Sequence, residues 1–295
     1  MSFLSQFTCR GQGIALDVGT ATMRVATGLQ RLREQPSVTG KKPALCGGVI
    51  VDGEAAVSIL KPLLAQVRSF GHKKTEVLAC APSDVSHMEQ ELLIESILSS
   101  GASSVVVIPE LFAAAIGCGM DVSAPHAQMV IDIGEGVTDC AVIRAGKIQT
   151  TCAVRLGCAT MRREIVGAGG AKGGKPIITE EEAEELLRAY GVTHSMIDRQ
   201  STPGAEQKSI HAVERVVEQL TTVVSSFLRD MPHSLGCEII ESGIWLTGGG
   251  ALIPGLRERF EAQTGIGVTL VGNPLSAVVE GARALLPYIA DMNRR

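Results

Sequence analysis

VIDIGEGVTDCAV, residues 130–142, sets Val130, Ile131 and Ile133 around Asp132 as a strand, Gly134 and Gly136 as a tight turn, and Val137 to Ile143 as the returning strand. A hairpin with a carboxylate at its mouth results. An earlier stretch, IALDVGTATMRVA at residues 14–26, repeats the plan, with Asp17, Gly19 and Thr20 in the places of Asp132, Gly134 and a turn residue. Two copies of strand, Asp-x-Gly, polar turn and strand predict two similar half-domains facing one another. Such a pair of turns suits the phosphate tail of a nucleotide.

A chain of 295 residues can form one large or two medium domains. With 45% hydrophobic and 20% charged residues it has the composition of a folded soluble protein, and a net charge of -4 gives no overall attraction to nucleic acid. The charge is uneven: residues 1–45 hold six basic residues against two acids, beside Phe3, Leu4 and Phe7. That combination suits an anionic membrane surface, and a frayed, solvated terminus gives the same pattern. The chain has no apolar run of the roughly 18 residues that a membrane span needs. Residues 1–13 lack the apolar core and cleavage site of a signal peptide, so a cytoplasmic location is expected. Eight cysteines without a C-x-x-C pair read as small, reduced core residues, and six scattered histidines give no metal site.

Further along, strand and helix alternate in the manner of an α/β fold. After a polar, basic segment from Leu29 to Pro43, Glu54 to Phe70 reads as an amphipathic helix containing Pro62. Val77 to Ala81 reads as a buried strand, Ser86 to Ser100 as a helix, Val105 to Ile108 as a strand and Glu110 to Cys118 as a small-residue helix. A strand at Lys147–Val154 and a helix at Ala159–Val166 follow the second hairpin. The segment GAGGAKGGKP, residues 167–176, matches G-x-x-x-x-G-K, yet Pro176 replaces the magnesium-binding Ser or Thr and no buried strand feeds it. Its composition predicts a mobile linker.

Thr179 with Glu182 forms a capping box for a helix to Tyr190, and Ser209 to Arg229 carries a long apolar stripe. Ile244 to Leu246 predicts a strand that breaks at Thr247-Gly248-Gly249-Gly250, where bare backbone lets a flat ring or a phosphate lie against the chain. A helix is expected from near Pro254, a strand at Val268–Val271 and a last helix from Pro274 to Met292.

In order stand Asp17-x-Gly19-Thr20, Glu110 followed by Ala113-Ala114-Ala115, Asp132-x-Gly134-x-Gly136, Leu246-Thr247-Gly248-Gly249-Gly250 and Asn273-Pro274-Leu275. This ordered set resembles the actin-like ATPase superfamily, above all the MreB-like bacterial actin homologues, with residues 101–155 and 237–283 the most similar. The resemblance implies an α/β, actin-like fold of two ribonuclease-H-like domains with a nucleotide cleft and reduced small lobes. Residues 1–128 with 277–295 would form one domain and 129–276 the other. By the same resemblance Asp17 and Asp132 hold Mg²⁺ through water, and Gly19, Thr20, Ala21 and Thr22 approach the β- and γ-phosphates of ATP. Gly134, Gly136 and Thr138 serve from the second turn. Glu110 and Asp132 are the catalytic carboxylates, Glu110 orienting the attacking water. Glu184 reaches the nucleotide, and Gly248, Gly249 and Gly250 run along the nucleoside.

The function implied is a cytoskeletal ATPase of cell shape or intracellular organisation. It self-associates into filaments and lies on the inner membrane face through Phe3, Leu4 and Phe7. The alternative is a degenerate actin-fold adaptor or chaperone-like protein with weak or no ATP hydrolysis, and on the residues alone Asp17 and Asp132 also fit plain turn caps.

The chain departs from the family pattern at Met23, Leu111, Gly157-Cys158-Ala159 and Leu187, the last where a lysine is expected three residues after Glu184. Glu135 stands where a second glycine is usual. There it is expected to crowd the turn and to repel a triphosphate unless a metal or base intervenes. Only nine residues separate Val38 from Gly48, which leaves little of the family's first small lobe.

Overall fold

Alternation along the two hairpins sets the architecture, as a computed structural model shows for residues 12–28, 31–40, 42–67, 75–192 and 204–292. Phe3, Leu4 and Phe7 lie outside these described residues, so the expected membrane contact has no structural account. Strands β1 (Gln12–Val18), β2 (Thr22–Ala26) and β3 (Arg33–Pro36) form an antiparallel meander. The polar segment expected from Leu29 to Pro43 thus holds β3 and two strands of a small hairpin, β4 (Val38–Thr39) and β5 (Lys42–Pro43). A second small hairpin, β6 (Leu45–Cys46) with β7 (Val49–Ile50), leads into α1 (Gly53–Val67). Then come β8 (Thr75–Ala81), α2 (His87–Ser99) and β9 (Ser104–Pro109). β8 and β9 run parallel to β1, so the first sheet has the order β3-β2-β1-β8-β9.

After α3 (Glu110–Gly117) the plan repeats: β10 (Gln128–Ile133), β11 (Thr138–Arg144) and β12 (Lys147–Val154) form the antiparallel part. β13 (Ala171–Lys172) and β14 (Lys175–Pro176) pair apart from this sheet, whose parallel strands are β15 (Ile244–Thr247) and β16 (Val268–Leu270). The order β12-β11-β10-β15-β16 is the first sheet over again, with the same strand directions. Helices α4 (Cys158–Gly169), α5 (Glu180–Tyr190), α6 (Gly204–Asp230), α7 (His233–Ser242) and α8 (Leu256–Thr264) belong with the second sheet. The chain ends its described part with α9 (Ala277–Met292).

Three apolar clusters follow from strand alternation. Ile14, Leu16 and Val18 of β1 face one way, into a core with α1 and α2, while Ala15 faces α3 and α9. In β10, Met129, Ile131 and Ile133 face the helices of the second half, and Val130 faces α3 and α9. The pair α3 and α9 is therefore a middle layer shared by both sheets. Its helices touch backbone to backbone, since a Cβ on Gly117 would drive into the Ala277 carbonyl and one on Gly281 into that of Ala113.

Three expectations need correction. GAGGAKGGKP is no linker: α4 runs through Gly169, and β13 and β14 pair around Gly173 and Gly174, whose φ angles of 60° and 76° suit a two-residue hairpin turn. The last helix starts at Ala277, after Pro274, because the Pro274 carbonyl accepts from Gly248 N at 3.2 Å and Thr247 Oγ1 at 3.1 Å instead of joining the helix. Not every cysteine is core: Cys80, Cys140 and Cys158 are buried, whereas Cys46 and Cys237 are exposed. Among the described residues no helix is long and apolar enough to cross a membrane.

Candidate functional site

Period-two alternation places Asp17 on the Ala15 face of β1 and Asp132 on the Val130 face of β10, so both carboxylates point toward the middle layer from opposite sheets. Glu110, the first residue of α3, enters between them. The three line a cavity of about 390 Å³, whose walls are the Asp17–Thr22 turn, the Gly134–Val137 turn, Gly248, Gly249, Pro274 and Leu275. The two turns meet closely, since a Cβ on Gly136 would stand 3.0 Å from Thr20 Oγ1. The β6–β7 turn closes on both: Thr20 Oγ1 accepts from Gly48 N at 2.7 Å, and the same Cβ would stand 2.8 Å from Gly47 Cα. Gly248 has φ 82°, and a Cβ there would strike the Asp132 carboxylate. The glycine loop is thus the floor on which Asp132 rests.

Burial dominates the electrostatics. Asp17 is 5% exposed and Asp132 7%. Burial raises Asp17 to about 6, with the Arg24 guanidinium, 3.6 Å away, opposing the rise. Burial raises Asp132 to about 7, reinforced by the charges of Asp17 and Asp139. Glu110 is pushed well above the usual carboxylate range by burial and then by Asp17, Asp132 and Asp139. Asp139, held by Ser83 Oγ at 2.7 Å and leaving Oδ2 unpaired, is raised to about 6, mainly by burial. Four acids competing for protons mark a place where a cation is favoured. Among the described residues no three His, Cys, Asp or Glu side chains are grouped to grip a metal directly. Buried carboxylate oxygens are the donors that a hard cation takes.

Of the residues singled out in the sequence, Asp17, Gly19, Thr20, Ala21, Thr22, Glu110, Asp132, Gly134, Gly136, Gly248 and Gly249 line this cavity. Thr138, Gly250 and Glu184 stand behind its wall. Thr138 Oγ1 donates to the Leu156 carbonyl at 2.8 Å, and Gly250 packs on Ile133 within a 3₁₀ turn, Gly249–Leu252. Glu184 has both carboxylate oxygens engaged by arginines, Oε1 by Arg188 Nε at 2.7 Å and Oε2 by an Arg162 nitrogen at 2.9 Å. Glu135 itself lines the cavity, and the base that the expectation required is there: Arg162, on α4, forms an ion pair with it.

Sequence reasoning passed over Arg24 and Arg188, both of which line the cavity. A signal existed for Arg24: once Gly19 to Ala21 form the turn, antiparallel register sets it directly across from Asp17. Arg188 had none, because helical facing alone does not say which neighbouring loop the helix meets.

The family described as MreB/Mbl protein matches residues 33–294. The cell shape-determining protein MreB of Escherichia coli strain K12 is 32% identical over 271 residues, which span 83% of this chain and 75% of that protein. Among solved structures, MreB5 of Spiroplasma citri bound to ADP aligns with a TM-score of 0.86 at 23% identity, covering 97% of this chain and 99% of the other. The MamK double helical filament aligns with a TM-score of 0.77 at 15% identity, over 93% and 98% of the two chains. These likenesses show that the repeated sheets and shared helical layer are the actin-like two-domain fold.

Proposed function

This chain belongs to the MreB/Mbl family, and from that premise we propose that it is an actin-like cytoskeletal protein that binds ATP with Mg²⁺ in the cleft and assembles into filaments. The observation that carries the reading is that Asp17 and Asp132, from equivalent strands of the two sheets, line one cavity together with Glu110. A hydrated Mg²⁺ bound there would neutralise both the acids and a polyphosphate. Gly19 to Thr22 and Gly134 to Gly136 would lie along the phosphates. Glu110 would hold and polarise the attacking water once the cation lowers its proton affinity, since only the ionised carboxylate accepts a proton. That MreB5 was solved with ADP and MamK as a filament supports the reading.

Membrane contact through Phe3, Leu4 and Phe7 extends the proposal, as the basic residues around them complement anionic headgroups. One sedimentation experiment tests both parts. Purified protein should pellet with ATP and Mg²⁺ while releasing phosphate slowly, and should float with anionic vesicles unless those three side chains are changed to Ser. No pelleting together with no calorimetric heat on adding ATP would refute the filament ATPase, and flotation unchanged by the substitutions would refute the anchor.

A further inference from the structure

Helix α5 approaches the cavity beside the glycine loop, and its residues divide by facing. Leu187 is 1% exposed in the apolar core of the second half. One residue on, a turn of about 100° around the helix brings Arg188 to the cavity wall. Arg188 is pinned there at two points, its Nε donating to Glu184 Oε1 at 2.7 Å and one terminal nitrogen to the Gly249 carbonyl at 2.7 Å. The other terminal nitrogen makes no hydrogen bond among the described residues and lies 3.8 Å from where a Cβ on Gly249 would be, over bare backbone. Five N–H groups in a planar fork, of which two are spoken for, leave donors for a ligand.

What aims this guanidinium is a chain of alternating charges. Glu135, at the phosphate turn, pairs with Arg162; Arg162 pairs with Glu184; Glu184 holds Arg188. Arg162 also pairs with Glu180 at 3.6 Å, so three acids and two bases make up the network. Around Arg188 the cavity is lined by Gly248, Gly249, Pro274 and Leu275, a wall without charge that suits a sugar and a flat base better than phosphate.

Resting on the nucleotide reading above, we propose that Arg188 binds the nucleoside part of the ligand, donating to acceptor atoms of the sugar or base, and that the Glu135–Arg162–Glu184 chain positions it. Glu135 is then the anchor of that positioning chain.

Calorimetric titration of the full chain with ATP and with ADP, each with Mg²⁺, tests this. Arg188→Gln should weaken both nucleotides by the same factor, about tenfold for one lost charge-assisted hydrogen bond, and Arg188→Lys should recover part of the loss. Glu135→Gly should weaken both modestly, and in an Arg188→Gln background it should add nothing. The melting temperature of each variant without nucleotide shows that it is folded. Affinities of Arg188→Gln within twofold of the parent overturn the proposal, as does a loss confined to ATP, which would assign Arg188 to the γ-phosphate. Tighter binding by Glu135→Gly overturns the positioning role. A parent protein that binds neither nucleotide overturns the functional reading itself, and this proposal with it.

Discussion

Asp17 lies directly across its hairpin from Arg24, whereas Asp132 lies directly across from a second acid, Asp139. The backbones of the two hairpins follow one plan, and their order within the two sheets is the same. The cross-strand neighbour differs, and directly opposed side chains on one face of an antiparallel pair interact at short range. In the first half the base opposes the burial of Asp17; in the second the charges of Asp17 and then Asp139 add to the burial of Asp132, which Arg24 opposes only from across the cleft. The second half takes its cations from elsewhere, with Arg162 answering Glu135 at the turn. A repeated fold therefore does not carry repeated electrostatics. The cleft needs an added cation most on the side of β10.

The largest test of this asymmetry is at the floor under Asp132, which has no counterpart among the residues lining the cavity at Asp17. In Gly248→Ala the new Cβ would strike the Asp132 carboxylate and the Ile133 carbonyl in a backbone with φ 82°. Left-handed strain and overpacking each contribute about 1 to 3 kcal/mol. Urea unfolding should show a loss of at least about 2 kcal/mol, and nucleotide binding should disappear. An Ala variant as stable as the parent would mean that the loop and β10 are not in contact as described.

Next in size is the removal of a cation from each half. Arg162→Leu strands Glu135 and part of Glu184 beside the cleft, and leaving a partly buried carboxylate unpaired costs about 1 to 3 kcal/mol. Arg24→Leu should cost less near pH 6, because Asp17, already raised to about 6, escapes by taking up a proton. Urea midpoints of both variants check the order. In a Glu135→Gly background the loss from Arg162→Leu should shrink, since one of its three carboxylate partners is gone. Equal losses in both backgrounds would show that Arg162 acts through packing, not through Glu135.

The parts of the molecule that were legible from sequence are those whose cause is local. The two hairpins announce themselves by alternation and Asp-x-Gly, and α5 by its Thr179–Glu182 capping box, in which Thr179 Oγ1 accepts from Glu182 N at 3.2 Å. The parts that were not legible depend on what a segment meets. Gly173 and Gly174 read as flexibility because composition does not show that both sit at positive φ in a hairpin turn. Pro274 read as a helix start because nothing near it shows that Thr247 and Gly248 bind its carbonyl from 27 and 26 residues away. Glu135 read as a defect for the same reason: Arg162 stands 27 residues on, and only the packing of α4 against the turn brings them together. Arg24 falls between these cases, being local in the hairpin register yet invisible until the turn length is fixed.

The smallest effect expected is also the one that separates the two hairpins without a ligand. In the unfolded chain Asp17 and Asp132 titrate near 3.8, and folding raises them to about 6 and about 7. The folded protein therefore holds these protons more tightly, and stability from each group is fully present below the unfolded value and is lost as pH rises through the folded one. Protein stripped of metal with a chelator should melt at progressively lower temperature between pH 5 and 8. Asp132→Asn keeps the shape of the side chain without its charge, so it should flatten that decline and raise the melting temperature at pH 8 by about 2 to 4 °C. Asp17→Asn should gain less, or lose, because it also leaves Arg24 without its buried partner. An equal rise in the two Asn variants would show that Arg24 does not offset the burial of Asp17, and the electrostatic contrast between the hairpins would fall.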